Sequence, residues 1–168
     1  MPPVILCVPN KTVQCNQAWQ FDMPTAYDNC CSNVTVTLLS SNMIQFNPPC
    51  STVYRGIWSA VDCCGNSSTC TQLVTVADTI APSLCCPNDI TITTCSNTAV
   101  ANWKVKVTDN CSSGLIAYSY PPSGSSFPVG TTTVSCVATD WCGNIGTCSF
   151  KVTVKAGTLK WKLVTLGK

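Results

Sequence analysis

Residues 60–70 read AVDCCGNSSTC and residues 138–148 read ATDWCGNIGTC. The two stretches align at an offset of 78 positions, and the match continues: Val74, Thr75 and Val76 return as Val152, Thr153 and Val154. Upstream, YDNCC at 27–31 answers TDNCS at 108–112, and PPVILCVPN at 2–10 answers APSLCCPN at 81–88. Such self-similarity at close to one spacing, 78 to 81 positions, marks duplicated structural units. The reading is two units, 1–78 and 79–155, joined in ADTIAPS (77–83), where Pro82 interrupts regular structure. A surplus segment, 156–168, follows them.

Each unit reads as β structure. NVTVTLL (33–39), STVYRGIWSAV (51–61), DITIT (89–93), TTTVSCVAT (131–139) and FKVTV (150–154) alternate apolar and polar residues and are rich in Val, Ile and Thr. Clusters of Asn, Gly, Pro and Ser separate them, and no segment carries a 3.6-residue apolar period. The prediction is all-β, two small sandwiches in tandem with about seven strands each. A unit of about 80 residues buries only about 60–65% of its unfolded surface, which leaves it marginal without cross-links. The chain has 15 Cys in 168 residues, the composition of a disulfide scaffold in an oxidising compartment.

Composition excludes several functions. There is no His, and all seven acids are Asp, which removes imidazole-dependent metal sites and Ser-His or Cys-His catalysis. Spread over turn positions, seven Asp supply no convergent acid–base pair, so an enzyme is not expected. A net charge of +2 with 10% charged residues gives no basic surface for nucleic acid. No apolar run approaches the ~18 residues of a membrane helix. The opening MPPVILCVP lacks the basic end and apolar core of a signal peptide and reads as the start of a mature or excised segment.

The stretch FPVGTTTVSCVATDWCGNIGTCSFKVTV (127–154), preceded by APSLCCPNDITI (81–92) and VTDNC (107–111), closely resembles the hyalin-repeat (HYR) domain. The resemblance implies an immunoglobulin-like sandwich in a secreted or cell-surface protein, with an adhesive or scaffolding role and no catalytic site. The first unit departs from the pattern: FNPPCSTVYRG (46–56) replaces F-P-V-G-T, and Trp58 stands where Cys136 does. It keeps P-x3-C near its start, A-Y-D-N-C, A-V-D-x-C-G-N and the T-C ending.

C-x5-C is the wrong spacing for zinc ribbons, and adjacent Cys pairs chelate one ion poorly, so structural bridges are expected. The repeat suggests Cys7–Cys70 and Cys86–Cys148 across each sandwich, and Cys30–Cys64 and Cys111–Cys142 between loops at one pole. Cys95–Cys136, Cys15–Cys50 and Cys31–Cys63 are further suggestions. An odd count leaves one thiol over. Cys85, beside the better-matched Cys86, is the candidate for an unpaired or intermolecular role.

Asp28, Asp62, Asp109 and Asp140 recur in matching loops, and Asp78 and Asp89 flank the join. Carboxylates converging there could bind Ca²⁺; the favoured alternative is that they cap turns through backbone N–H groups, with no cofactor. Glycosylation sequons fall at Asn10, Asn33, Asn66 and Asn110. Trp19, Trp58 and Trp103 are expected in the cores, whereas Tyr54, Tyr118 and Tyr120 are candidates for a binding face. In the final segment Leu159, Trp161 and Leu163 alternate with Lys160, Lys162 and Val164, the period of a half-buried strand. Such a strand either folds back on its own domain or adds to a sheet edge of the next subunit. The expectation is an extracellular structural subunit that assembles as a homo-oligomer or filament; the alternative is an adhesion module for a protein or glycan.

Overall fold

The computed structural model describes residues 1–47 and 50–157. The chain divides into two compact units, Met1–Thr79 and Ile80–Lys168. Among the described residues every regular element is a strand, and none forms a helix.

The first unit contains β1 (Val4–Leu6), β2 (Lys11–Gln14), β3 (Thr25–Tyr27), β4 (Thr35–Asn47), β5 (Ser51–Val61) and β6 (Ser67–Ala77). Its main sheet runs in the order β2-β6-β5-β4, with β2 parallel to β6 and the other pairs antiparallel. β1 and β3 form a separate antiparallel ribbon. STVYRGIWSAV is β5 residue for residue. β4, by contrast, outruns the expected NVTVTLL by eight residues, from Ser40 to Asn47. Trp58, Ala60, Cys70 and Val74 are buried on the inner face of the sheet, as is the fully enclosed Gln72.

The second unit contains β7 (Ser83–Cys85), β8 (Ile90–Thr94), β9 (Thr98–Val100), β10 (Lys106–Thr108), β11 (Tyr118–Tyr120), β12 (Ser126–Pro128), β13 (Gly130–Thr139) and β14 (Ile145–Ala156). Its main sheet, β11-β13-β14-β8, repeats the first unit's order strand for strand, with β8 parallel to β14. The β7–β10 ribbon repeats β1–β3, while the β9–β12 ribbon has no counterpart among the described residues of the first unit. Period-two alternation on β13 and β14 sends Val134, Cys136, Phe150, Val152 and Val154 into one core with Ala101 and Phe127. Leu84, Cys86, Trp103 and Val105 close over it from the opposite layer. Trp103 is fixed edge-on to Phe150 at 5.2 Å between ring centroids.

Candidate interaction surfaces and the capped loops

The repeated D-x-C-G-N loops are built identically. Asp62 Oδ1 accepts the N–H groups of Cys64 and Asn66 at 2.8 Å each, and its Oδ2 accepts Asn66 Nδ2 at 2.8 Å. Asp140 accepts from Cys142 N at 2.8 Å, Asn144 N at 2.9 Å and Asn144 Nδ2 at 2.7 Å. The intervening Gly65 and Gly143 take φ of 84° and 87°, a conformation that a Cβ disfavours, which is why each loop needs glycine there. The Asn66 amide holds the Asp62 carboxyl below the usual range, against the upward pull of burial. At Asp140 burial pushes upward, and the Asn144 amide with the surrounding backbone N–H groups overcomes it, leaving the carboxyl lowered.

Asp28 and Asp109 cap the other loop pair. Asp28 Oδ1 accepts Cys30 N at 2.8 Å and Cys31 N at 2.9 Å. Asp109 Oδ1 accepts Cys111 N at 2.9 Å and Ser112 N at 2.7 Å. Asp89, exposed, receives the Lys151 N–H at 2.7 Å, and Asp78 is buried. The donors at Asp28, Asp62, Asp109 and Asp140 are those of a turn cap. Only for these four does the sequence motif report the local structure directly.

Cysteine placement separates the expected pairs. Cys86 is bonded to Cys148 (Cα–Cα 6.0 Å), tying the ribbon layer to the main sheet, and Cys31 is bonded to Cys63 (Cα–Cα 5.9 Å). Cys15, Cys50, Cys111 and Cys142 are disulfide-bonded as well. Cys7 and Cys70 stand in contact but unbonded, and the Cys70 thiol is pushed up to about 12, first by burial and then by Cys7. Three suggested pairs are therefore corrected, Cys7–Cys70 among them. Cys30 and Cys64 are exposed and unbonded, because their neighbours Cys31 and Cys63 make the bridge at that pole. Cys95–Cys136 is ruled out by register. Cys136 lies opposite Cys148, whereas Cys95 follows Thr94, which pairs with Ala156 at the far end of β14. At about 3.3 Å per residue those ends are roughly 25 Å apart, beyond any disulfide. Cys136 is instead buried with its sulfur within 4.8 Å of the Cys86 and Cys148 sulfurs, a set of three whose other two members are already joined. Cys85 is exposed and unbonded.

The aromatic candidates also part company. Tyr54 is half-buried against Trp19, with ring centroids 4.9 Å apart, so it belongs to the first unit's packing and not to a binding face. Tyr118 and Tyr120 do project outward, at 71% and 81% exposure. Between them Ser119 turns inward, where its Oγ accepts the Trp103 indole N–H at 3.2 Å and anchors the short strand β11. Register sets Tyr118 beside Val137 and Thr147, and Tyr120 beside Ser135 and Ser149. The result is an open, mainly apolar trough of about 500 Å³ with tyrosine walls and a floor of Ser135, Val137, Thr147 and Ser149. Trp141, Ile145 and Ile116, each more than 60% exposed, extend the apolar character of this unit's surface. None of these three stood out in the sequence: Trp141 lies in the β13–β14 turn, Ile145 opens β14 and Ile116 precedes β11.

Of the sequons, Asn10, Asn33 and Asn66 are exposed and Asn110 is half-buried. Asn10 Oδ1 accepts the Leu73 N–H at 2.8 Å, and Asn66 is committed to its Asp cap. The assembly candidates Leu159, Trp161 and Leu163 lie outside the described residues.

No helix among the described residues is long and apolar enough to cross a membrane. The chain is 32% identical over 165 residues to hyalin of Strongylocentrotus purpuratus, covering 91% of this chain and 14% of hyalin. It is 30% identical over 145 residues to a sushi, von Willebrand factor type A, EGF and pentraxin domain-containing protein 1 of Mus musculus, covering 83% of this chain and 4% of that protein. The chain therefore spans a small part of these relatives. Among solved structures, Drosophila N-cadherin EC1-4 aligns over 92% of this chain and 50% of its own, at 13% identity and a TM-score of 0.39, a likeness too loose to carry an argument. Residues 77–154 match the family described as HYR domain.

Proposed function

We propose that this chain is a non-enzymatic extracellular structural subunit, built from two disulfide-stapled HYR-like sandwiches, that self-assembles by strand addition. The observation that carries the reading is the character of the sheet margins. The outermost strands β4 and β11 both end their sheets and both bear exposed apolar or aromatic side chains. Four of the seven Asp carboxylates, meanwhile, are spent on turn caps. Residues 158–168, with the strand period of Leu159, Trp161 and Leu163, are the segment that adds to a neighbour's sheet. A contact from the end of one chain to another surface of the next is heterologous, and such contacts build filaments when they do not close.

The second reading is an adhesion module, favoured by the Tyr118–Tyr120 trough, whose rings and hydroxyls suit an uncharged glycan or a polar peptide. Sedimentation and negative-stain electron microscopy of the full chain and of a chain ending at residue 156 separate the two. Assembly is expected from the full chain and is lost on truncation, with circular dichroism unchanged. A full chain that stays monomeric at high concentration, and binds a partner through Tyr118 and Tyr120, overturns the structural reading in favour of adhesion.

A further inference from the structure

The two units share one strand order but treat the same margin in opposite ways. A proline pair follows both outermost strands, Pro48–Pro49 after β4 and Pro121–Pro122 after β11, so the difference is length: in the second unit β11 is only three residues long. A short edge strand is one device that stops a sheet from pairing with another chain. In the first unit the equivalent strand is β4, thirteen residues with the sequence TVTLLSSNMIQFN. It contains no Lys, Arg, Asp, Glu or Pro. No described strand pairs with its outer side.

Its side chains compound the exposure. Leu39, Met43, Ile44 and Phe46 are 60%, 52%, 47% and 64% exposed. The ladder to β5 slips between Leu38 and Ser40 and again between Met43 and Gln45. Bulges normally blunt an edge; here the residues they release from the ladder are Leu39 and Ile44, so each adds an apolar group to the margin. A long, uncharged, apolar edge left open is a template for strand pairing.

We infer that β4 is the acceptor edge, and that its occupant is segment 158–168 of a second copy. This inference rests on the reading above and names the surface that completes it. Eleven residues in extended conformation reach about 37 Å, against about 44 Å for the thirteen of β4. The alternate apolar side chains Leu159, Trp161 and Leu163 match an edge lined with Leu, Ile, Met and Phe. Lys160 and Lys162 meet no like charge, because β4 carries none. The β11 edge, only three residues long, offers too few backbone groups for the same partner.

The test uses the full chain and two readouts. The backbone amides of β4 that point away from β5 are followed by hydrogen exchange at concentrations below and above the onset of assembly. They are expected to gain at least tenfold protection only above it. Free exchange at every concentration overturns the proposal, and so does protection at every concentration, which means the edge is covered within one chain. In parallel, Leu39→Lys with Ile44→Lys places charges on exposed positions. It is expected to weaken assembly at least tenfold with an unchanged unfolding midpoint, whereas Ile116→Lys leaves assembly intact. If the double variant assembles like the parent while truncation at 156 abolishes assembly, β4 is the wrong edge and the strand-addition reading stands. If truncation leaves assembly intact and the double variant abolishes it, the segment is the wrong occupant and both ideas fall.

Discussion

Asp140 makes three hydrogen bonds from a buried position, and its removal leaves those donors without an acceptor. Hydrogen bonds to a charged group contribute about 1.5–3 kcal/mol, and orphaned buried donors cost about as much as the lost bonds. Asp140→Ala is therefore expected to lower stability at neutral pH by about 1.5–3 kcal/mol, read from urea unfolding. The pH dependence follows from the lowered carboxyl. A depressed acid stabilises the fold above its unfolded pKa, near ~3.9, and the contribution fades as pH falls through the lower folded value. The parent–variant gap should thus be full at pH 7 and shrink below about pH 4. A gap that does not change with pH contradicts the carboxylate cap. Asp62 shares the geometry and the sign.

At the scale of the strand, one contact is solved in two ways. Ser68 in β6 donates its Oγ to the Pro3 carbonyl at 2.6 Å. Its counterpart in β14 is Gly146, and the Pro82 carbonyl moves in so close that a Cβ there would overlap the oxygen and press on Leu84 Cδ1 at 2.8 Å. The backbone has taken the space that a side chain bridges in the other copy. Gly146→Ala must push β7 from β14, and overpacking of this kind costs about 1–3 kcal/mol. Ser68→Ala loses one hydrogen bond, about 1 kcal/mol. Thermal melts of the two variants should rank in that order; equal losses would mean that β7 yields freely. The cores diverge too. Where the second unit buries Phe150, the first buries Gln72, which donates to Pro9 O at 2.9 Å and Asp22 Oδ2 at 2.8 Å while accepting Asp22 N at 2.9 Å. Lys11 pairs with the same Asp22 at 2.7 Å, and Lys11 first, then Gln72, holds that carboxyl low.

For the molecule as a whole, small units and many bridges make oxidation state the main determinant of stability. The Cys31–Cys63 and Cys86–Cys148 bonds close loops with sequence separations of 32 and 62. In the chain-entropy account such bonds contribute about 4 kcal/mol each, a large share of the roughly 5–15 kcal/mol by which a domain is stable. Reduction is expected to drop the melting midpoint steeply or abolish the cooperative transition, as followed by circular dichroism with and without a thiol-free reductant. An unchanged midpoint would make the bridges incidental.

What could be read without coordinates was what local pattern encodes. Alternation announced strands because side chains in β structure point to opposite faces, and it placed β5 to the residue. The D-x-C-G-N spacing announced a turn because Asp reaches N–H groups two and four positions onward. Choices between neighbours were not legible. Cys30 or Cys31, Cys63 or Cys64, Tyr54 or Tyr118 differ only in which way a residue faces and what the fold has brought there. Cys95 looked like a partner for Cys136 until strand register set them at opposite ends of β14. The length of β4 was hidden for the same reason: SSNMIQF has no clean alternation, because two bulges shift its phase. Period belongs to the chain, whereas register, pairing and the open edge arise only when distant strands meet.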